Sequence, residues 1–271
     1  MSFEKVTIGN ATLYCGDCFE ILPTLNNGEI DQVVSDPPYG VTNHSWDQAP
    51  PFERMWQLFE SKSKENANYV LFGCGGFTID LINSKRAWYR YGLTWVKNNK
   101  TNWLNSGLMV HRNTEDIMIY GKPGHQKTAV FNVPEGYPHP CSALAFDHDR
   151  GNGQQGRNFH VTQKPLHLMG YLLMLYSNPE NLVLDCFMGS GTTGCAALYL
   201  NRNFVGIERE KKYFDIACRR LEEIHQRKSA RYKPRIDPPD DPNELVAEAE
   251  EQLVPVITEE QQNLVQEKGV I

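Results

Sequence analysis

Asn181–Gly194 reads NLVLDCFMGSGTTG. A short apolar run ends in Asp185, and a glycine-rich turn then carries the chain into Thr192-Thr193 and a helix-forming segment. Glycines let a backbone approach a ligand closely, and the first turn of a helix offers N–H groups that lack intrahelical partners. In dinucleotide folds this strand–turn–helix arrangement cradles a pyrophosphate. Here the spacing is G-S-G-T-T-G rather than G-x-G-x-x-G, and an acidic residue stands in the approach to the turn. A carboxylate there suits a zwitterionic ligand with an ammonium group better than a diphosphate. The next apolar run, Phe204–Ile207, ends in Glu208. A carboxylate about 20 residues beyond such a turn accepts the hydroxyl protons of a ribose.

From this turn outward the chain alternates between strand-like and helix-like segments. Strands are expected at Gln32–Ser35, Tyr69–Phe72, Leu93–Val96, Asp116–Tyr120, Leu182–Leu184 and Phe204–Ile207, all short apolar, β-branched or aromatic runs. Val6–Tyr14 alternates more strictly and predicts a hairpin leading to an additional strand. Helices are expected at Pro51–Lys64, Pro165–Tyr176, Thr192–Leu200 and Lys211–Gln226. In the last, Tyr213, Ala217, Leu221 and Ile224 repeat at helical spacing, which leaves Arg219, Arg220, Glu222 and Glu223 for solvent. Continuous apolar strands separated by helices predict an α/β fold with a mostly parallel, doubly wound sheet. Gly121–Gly156 holds six glycines and four prolines with no strong period, so it reads as a long irregular insertion suited to recognition. Two units follow: residues 1–228 as one domain, and 229–271 as an acidic tail with 4 Lys/Arg against 10 Asp/Glu.

Val33–Gly40 reads VVSDPPYG. Two prolines directly after an apolar strand cannot continue a ladder, so the strand must stop there. In an open parallel sheet, ligands bind outside the carboxyl ends of the strands, which brings Asp36, Pro37, Pro38 and Tyr39 to the side where Gly189 and Glu208 point. These groups suit chemistry at an exocyclic amino group, whose lone pair is delocalised into the base ring. Asp36 can accept one amino hydrogen and the Pro37 carbonyl the other, which favours a tetrahedral nitrogen. Tyr39 offers a face on which an extruded base stacks.

SDPPYG followed much later by LDCFMGSGTTG resembles the amino-group DNA methyltransferases, the adenine-N6 and cytosine-N4 enzymes. The order, catalytic motif first and cofactor motif last, is similar to the permuted β class. The resemblance spans most of residues 7–226. It implies a circularly permuted, Rossmann-like methyltransferase fold and S-adenosylmethionine as cofactor. It further implies that Asp185, Phe187, Gly189, Ser190, Gly191, Thr192, Thr193, Glu208 and Arg209 hold that cofactor, with Asp17 and Cys18 near its adenine. The family segment H-P-T-Q-K-P appears here as His160-Val161-Thr162-Gln163-Lys164-Pro165. Val161 replaces a proline, and Thr162, Gln163 and Lys164 are left as contacts to the methionine carboxylate. Trp95-Val96-Lys97 and the strand ending at Tyr120 look like later family strands, with target recognition in an insertion at about 98–160. Double-stranded DNA is the implied partner; a homodimer and a cognate restriction enzyme are further partners that family members have. Asp36 at the head of P-P-Y favours adenine, although cytosine-N4 enzymes share D-P-P-Y.

Composition supports this once it is divided along the chain. The formal charge is −6, yet residues 84–164 carry 11 Lys/Arg against 5 Asp/Glu, along with five of the eight histidines. Phosphate binding depends on such local charge. Lys97, Lys100, Arg112, Lys122 and Lys127 are the expected phosphate contacts. Seven cysteines without framework spacing exclude a disulfide scaffold, and Cys15-x-x-Cys18 has no second pair at zinc spacing, so no metal is expected. Cys141 lies in the irregular insertion and lacks the partner motifs of a cytosine-C5 enzyme. Neither a signal peptide nor a membrane-spanning run is present, which predicts a cytoplasmic protein. A nicotinamide-dependent dehydrogenase is disfavoured by S-D-P-P-Y. A DNA-binding relative without activity is disfavoured by the intact catalytic positions.

Overall fold

The computed structural model describes residues 3–41, 47–101, 107–108, 110–133, 139–146 and 163–231, the side chains of 98–101 and 229–231 excepted. The expected tail from 232 onward, Thr162 and parts of the recognition insertion (102–106, 109, 134–138 and 147–160) lie outside the described residues. Among the described residues nine strands form one sheet: β1 (Glu4–Ile8), β2 (Ala11–Cys15), β3 (Ile30–Ser35), β4 (Ser63–Gly73), β5 (Tyr89–Thr101), β6 (Arg112–Tyr120), β7 (Ala143–Ala145), β8 (Leu182–Asp185) and β9 (Asn203–Glu208). Six α-helices accompany them: α1 (Cys18–Ile21), α2 (Phe52–Lys62), α3 (Gly76–Ser84), α4 (Leu166–Tyr176), α5 (Thr192–Tyr199) and α6 (Lys211–Arg231). The strand order is β1-β2-β9-β8-β3-β4-β6-β5-β7. All strands run in one direction except β1 and β6.

The apolar strands read as continuous runs because both faces of the sheet are covered. Val34, Val70, Phe72, Ile117 and Ile119 join one core with Leu168, Leu172 and Leu173 of α4, Ala196 and Ala197 of α5, and Phe214, Ala217 and Leu221 of α6. Their neighbours Val33, Tyr69, Leu71, Met118 and Tyr120 join the opposite core with Met55, Trp56 and Phe59 of α2 and Leu81 of α3. Several boundaries differ from the sequence expectation. Helix α2 stops at Lys62, whose buried ammonium donates to the Pro23 and Leu25 carbonyls and the Asn27 side chain, and β4 begins at once with polar residues. Helix α6 continues past residue 226 to Arg231. The irregular insertion supplies the short edge strand β7, paired in parallel with Thr94–Val96 of β5. No helix among the described residues is long and apolar enough to cross a membrane.

Chain direction through the sheet reverses between β3 and β8. From β3 the chain moves to β4 on one side; from β8 it moves to β9 on the other. Such a topological switch point opens a crevice at the carboxyl ends of the two strands. Ser35-Asp36 and Asp185-Cys186 stand at its two lips.

Candidate active site

The two lips are tied together by Asp185. Its carboxylate accepts from Ser35 Oγ at 2.6 Å, Thr193 Oγ1 at 2.6 Å and the Phe187 amide at 3.2 Å. Burial pushes its pKa up to about 6, against the pull of those hydrogen bonds. The charge foreseen as a partner for a ligand ammonium thus also fixes the β3 end, the glycine turn and the first turn of α5 in one frame. The turn itself needs glycine twice. Gly189 has φ +53°, and a side chain there would reach into open space, so its backbone is bare towards the crevice. Gly191 has φ +79°, and a Cβ would stand 2.8 Å from Ala217 Cβ, so α6 could not pack as it does.

Arg220 completes this frame. It was expected to face solvent, but its guanidinium donates to the Ser190 carbonyl at 2.6 Å, Ser190 Oγ at 2.9 Å and Thr192 Oγ1 at 3.1 Å. The amphipathic count placed it on the outer face because it could not see the turn folding back over α6. Ser190 Oγ also donates to Gln163 Oε1 at 3.2 Å, which brings the segment before α4 to the turn. Tyr213, read as a core position, is half-buried and lines the crevice instead.

At the other side of the turn, Glu208 accepts from the Gly189 amide at 2.9 Å and the Glu210 amide at 2.8 Å. Burial raises its pKa above the usual carboxylate value, with both amides opposing. Its carboxylate has acceptor capacity beyond these two amides, and Glu208 lines the crevice. The Glu208 carbonyl accepts from the Gly16 amide at 2.9 Å, and Asp17 caps α1 by accepting from the Phe19 amide at 2.7 Å. Asp17, Cys18, Phe19, Phe187, Gly189, Ser190, Glu208, Arg209 and Tyr213 all line one end of a cavity of about 720 Å³.

Its other end is built around Asp36. Asp36 Oδ1 accepts from the Tyr39 hydroxyl at 2.6 Å, and Oδ2 accepts from the Lys164 ammonium. That hydroxyl also lies 2.8 Å from Glu115 Oε1, to which Lys164 donates at 2.8 Å. Lys97 closes the cluster on Glu115 Oε2. The environments push the two carboxylates apart. Burial raises Asp36, against the pull of Lys164 and with the push of Glu115. Burial also works against ionised Glu115, but Lys164 and Lys97 outweigh it and hold that carboxyl at about 2. Between them Lys164 is held above the usual lysine range despite burial, and Tyr39 well above the usual phenol range. The Tyr39 ring packs 4.9 Å from Phe77 at 35°. Asp47 fixes the outgoing loop by accepting from the Gly40 amide at 2.8 Å and the Val41 amide at 3.0 Å.

Two sequence expectations change here. Lys164 was assigned to a ligand carboxylate, but its ammonium is spent on Asp36 and Glu115 within the cavity wall. Lys97 was assigned to DNA phosphate, but it is paired with Glu115 in the same wall. Lys122 and Lys127 follow β6, which runs against its neighbours, so they lie beyond the sheet edge opposite the site. Lys122 is buried and donates to Glu65 at 2.8 Å. Of the expected cations with described side chains, Lys97 and Arg112 line the cavity; Lys97 is held by Glu115, whereas Arg112 contacts Cys74. Lys100 belongs to β5, and its side chain lies outside the described residues. Glu115, Asp47 and Arg220 were not foreseen. Glu115 shares a face with buried Ile117 and Ile119, so an acidic residue continuing an apolar face was its only signal.

A cavity of this size matches a nucleoside joined to an amino acid, which is the size class of small-molecule sites. The donor set fits S-adenosylmethionine: Glu208 for a ribose diol, Phe187 and Tyr213 beside it, and an unobstructed Gly189 backbone. Comparison with known proteins agrees. A family model described as DNA methylase, covering N6 and N4 methyltransferases, matches residues 30–219. The type II methyltransferase M.HinfI of Haemophilus influenzae is 31% identical over 249 residues, covering 79% of this chain and 68% of the relative. The crystal structure of M1.HpyAVI with SAM superposes with a TM-score of 0.62 at 29% identity, covering 78% of this chain and 98% of that one. The cytosine-N4-specific PvuII DNA methyltransferase shares the fold, with a TM-score of 0.67 at 17% identity, covering 93% of this chain and 96% of that one. With two matched motifs at the lips of one crevice, this chain belongs to the DNA methylase family of amino-group, N6 or N4, methyltransferases.

Proposed function

We propose that this chain transfers a methyl group from S-adenosylmethionine to adenine N6 in double-stranded DNA at a specific sequence. The observation that carries the reading is the placement of Asp36 at the β3 lip, in one cavity with Glu208 and the Gly189 turn. The cofactor supplies an electrophilic methyl group. Every other requirement falls on the chain. Asp36 and the Pro37 carbonyl are suited to accept the two amino hydrogens of a flipped base, which localises the nitrogen lone pair towards the methyl donor. Pro37 and Pro38 contribute no N–H, so the loop leaves the ladder, and both residues line the cavity. Tyr39, braced by Phe77, offers a ring edge or face to the base. No nucleophilic side chain is required, because the displacement is direct.

Arg112, on the cavity rim, is our candidate contact to the strand carrying the flipped base, and the neighbouring part of β5 extends the same surface. A cognate restriction enzyme and a homodimeric assembly remain part of this proposal, in keeping with the type II kind of its relatives.

The test is methylation of unmethylated DNA followed by digestion and nucleoside mass spectrometry. N6-methyladenine is the expected product; N4-methylcytosine would correct the base and keep the mechanism. A second expectation concerns the ribose site. Glu208→Ala removes charge-assisted hydrogen bonds worth roughly 1.5–3 kcal/mol, so affinity for S-adenosylhomocysteine should fall about 10- to 100-fold in a calorimetric titration. Unchanged affinity would move the ribose elsewhere.

A further inference from the structure

Glu115 has no part in the reading above, yet its carboxylate sits in the catalytic cluster and is 6% exposed. A buried set of four charged groups is weak evidence for stability, since apolar side chains of similar volume often serve the fold as well. Its position against Asp36 therefore calls for another reason. The Tyr39 hydroxyl lies 2.6 Å from Asp36 Oδ1 and 2.8 Å from Glu115 Oε1. A phenol carries one proton and donates to one carboxylate at a time. While it donates to Asp36, Oδ1 is engaged. Turned to Glu115, it releases Oδ1 to the cavity, while Lys164 still holds Oδ2.

We propose that Glu115 is a positioning residue for methyl transfer: anchored by Lys97, it gives Tyr39 a second acceptor and holds Lys164 in place, so that Asp36 Oδ1 is free for an amino hydrogen when a base arrives. The inference rests on the amino-group reading and applies to adenine and cytosine alike. In the step it serves, the nitrogen lone pair forms the N–CH₃ bond as the S–CH₃ bond breaks and its electron pair goes to sulfur. The nitrogen then holds one proton in excess. That proton passes to Asp36 Oδ1, and the N–H pair returns to the nitrogen as its lone pair.

The groups facing Asp36 are Lys164 ahead of α4, Glu115 on β6, Tyr39 on its own loop and Asp185 on β8, with Lys97 of β5 acting through Glu115. The Glu115 charge disfavours ionised Asp36. Removing it should therefore lower the pH at which Asp36 protonates, and with it the acid limb of kcat. Glu115→Gln keeps the volume and an acceptor oxygen but drops the charge. We expect kcat to fall about 100-fold, as for a misplaced reacting group, with the acid limb displaced to lower pH. Binding of S-adenosylhomocysteine by calorimetry should be unchanged. Glu115→Asp, which keeps the charge but withdraws it by one methylene, should recover part of the rate. An unaltered kcat and acid limb in Glu115→Gln would overturn the proposal, as would parallel loss of kcat and S-adenosylhomocysteine binding. Should Glu115→Gln not fold, a wild-type kcat in Glu115→Asp overturns it equally. Wild-type protein that methylates no base would refute the amino-group reading itself; an active wild type with an indifferent Glu115→Gln refutes only the role of Glu115.

Discussion

Asp36→Ala is expected to lower methyl transfer by about 1,000-fold or more while S-adenosylhomocysteine binding stays close to wild type, because an electrostatic contact made to the reacting group acts mainly in the transition state. The fold should tolerate this change. Lys164 keeps Glu115 at 2.8 Å, and the Tyr39 hydroxyl keeps the same carboxylate as its acceptor. The Asp185 frame, with Ser35, Thr193 and Phe187, does not involve Asp36 as a hydrogen-bond partner. Transfer rate and cofactor binding should thus separate. Equal loss of both would mean that Asp36 builds the pocket and does not serve the reaction.

Lys164→Met should cost both stability and rate. Lys164 is the cation between two carboxylates, and removing one partner of a buried ion pair typically costs about 3–5 kcal/mol. For a chain of this size that corresponds to a fall in Tm of roughly 10 °C. The rate should fall for a separate reason. Lys164 pulls Asp36 towards its ionised form against burial, so without it the Asp36 pKa rises further and more of the enzyme carries a protonated, non-accepting Asp36 at neutral pH. The acid limb of kcat should move to higher pH, opposite in direction to Glu115→Gln, and raising the pH should restore part of the activity. Stability has its own signature. Glu115 is held at about 2, so its contribution is present above the unfolded carboxylate value of about 4.3 and is lost as pH falls from there towards 2. With one of its two cations gone, Glu115 contributes less in that window, so acid unfolding should begin at higher pH. A variant with unaltered acid limb and unaltered acid unfolding would show that Lys164 does not govern this cluster.

Much of this architecture was legible in the residues. Gln32–Ser35 and Leu182–Leu184 were identifiable as buried strands from their short apolar runs, and the prolines after one and the glycines after the other mark where each stops. A parallel sheet then implied that the carboxyl ends of both strands open on one side. What stayed hidden depended on contacts between distant segments. In sequence Lys97 reads as a phosphate contact and Lys164 as a cofactor contact, and only strand pairing of β5 with β6 and the approach of the α4 entry segment reveal that they share Glu115. Arg220 lies on the polar side of a correct helical count, yet it faces the turn because that turn is folded against α6 through Gly191. Lys122 and Lys127 were grouped with Lys97 by charge along the chain. Reversal of β6 relative to its neighbours sends them to the far edge. Local charge counts say how much charge a segment has; topology decides which way it faces.

The reaction proposed for the cavity joining Asp36 to Glu208 is transfer of a methyl group onto an exocyclic amino nitrogen of DNA. It is tested most directly by incubating the protein with duplex DNA and S-adenosylmethionine carrying a ¹³C-labelled methyl group, then locating the label within the recovered nucleoside. Label on the exocyclic nitrogen, present with the wild-type protein and missing with Asp36→Ala, is the predicted result. Label on a ring carbon, or label transferred equally well by Asp36→Ala, would contradict it.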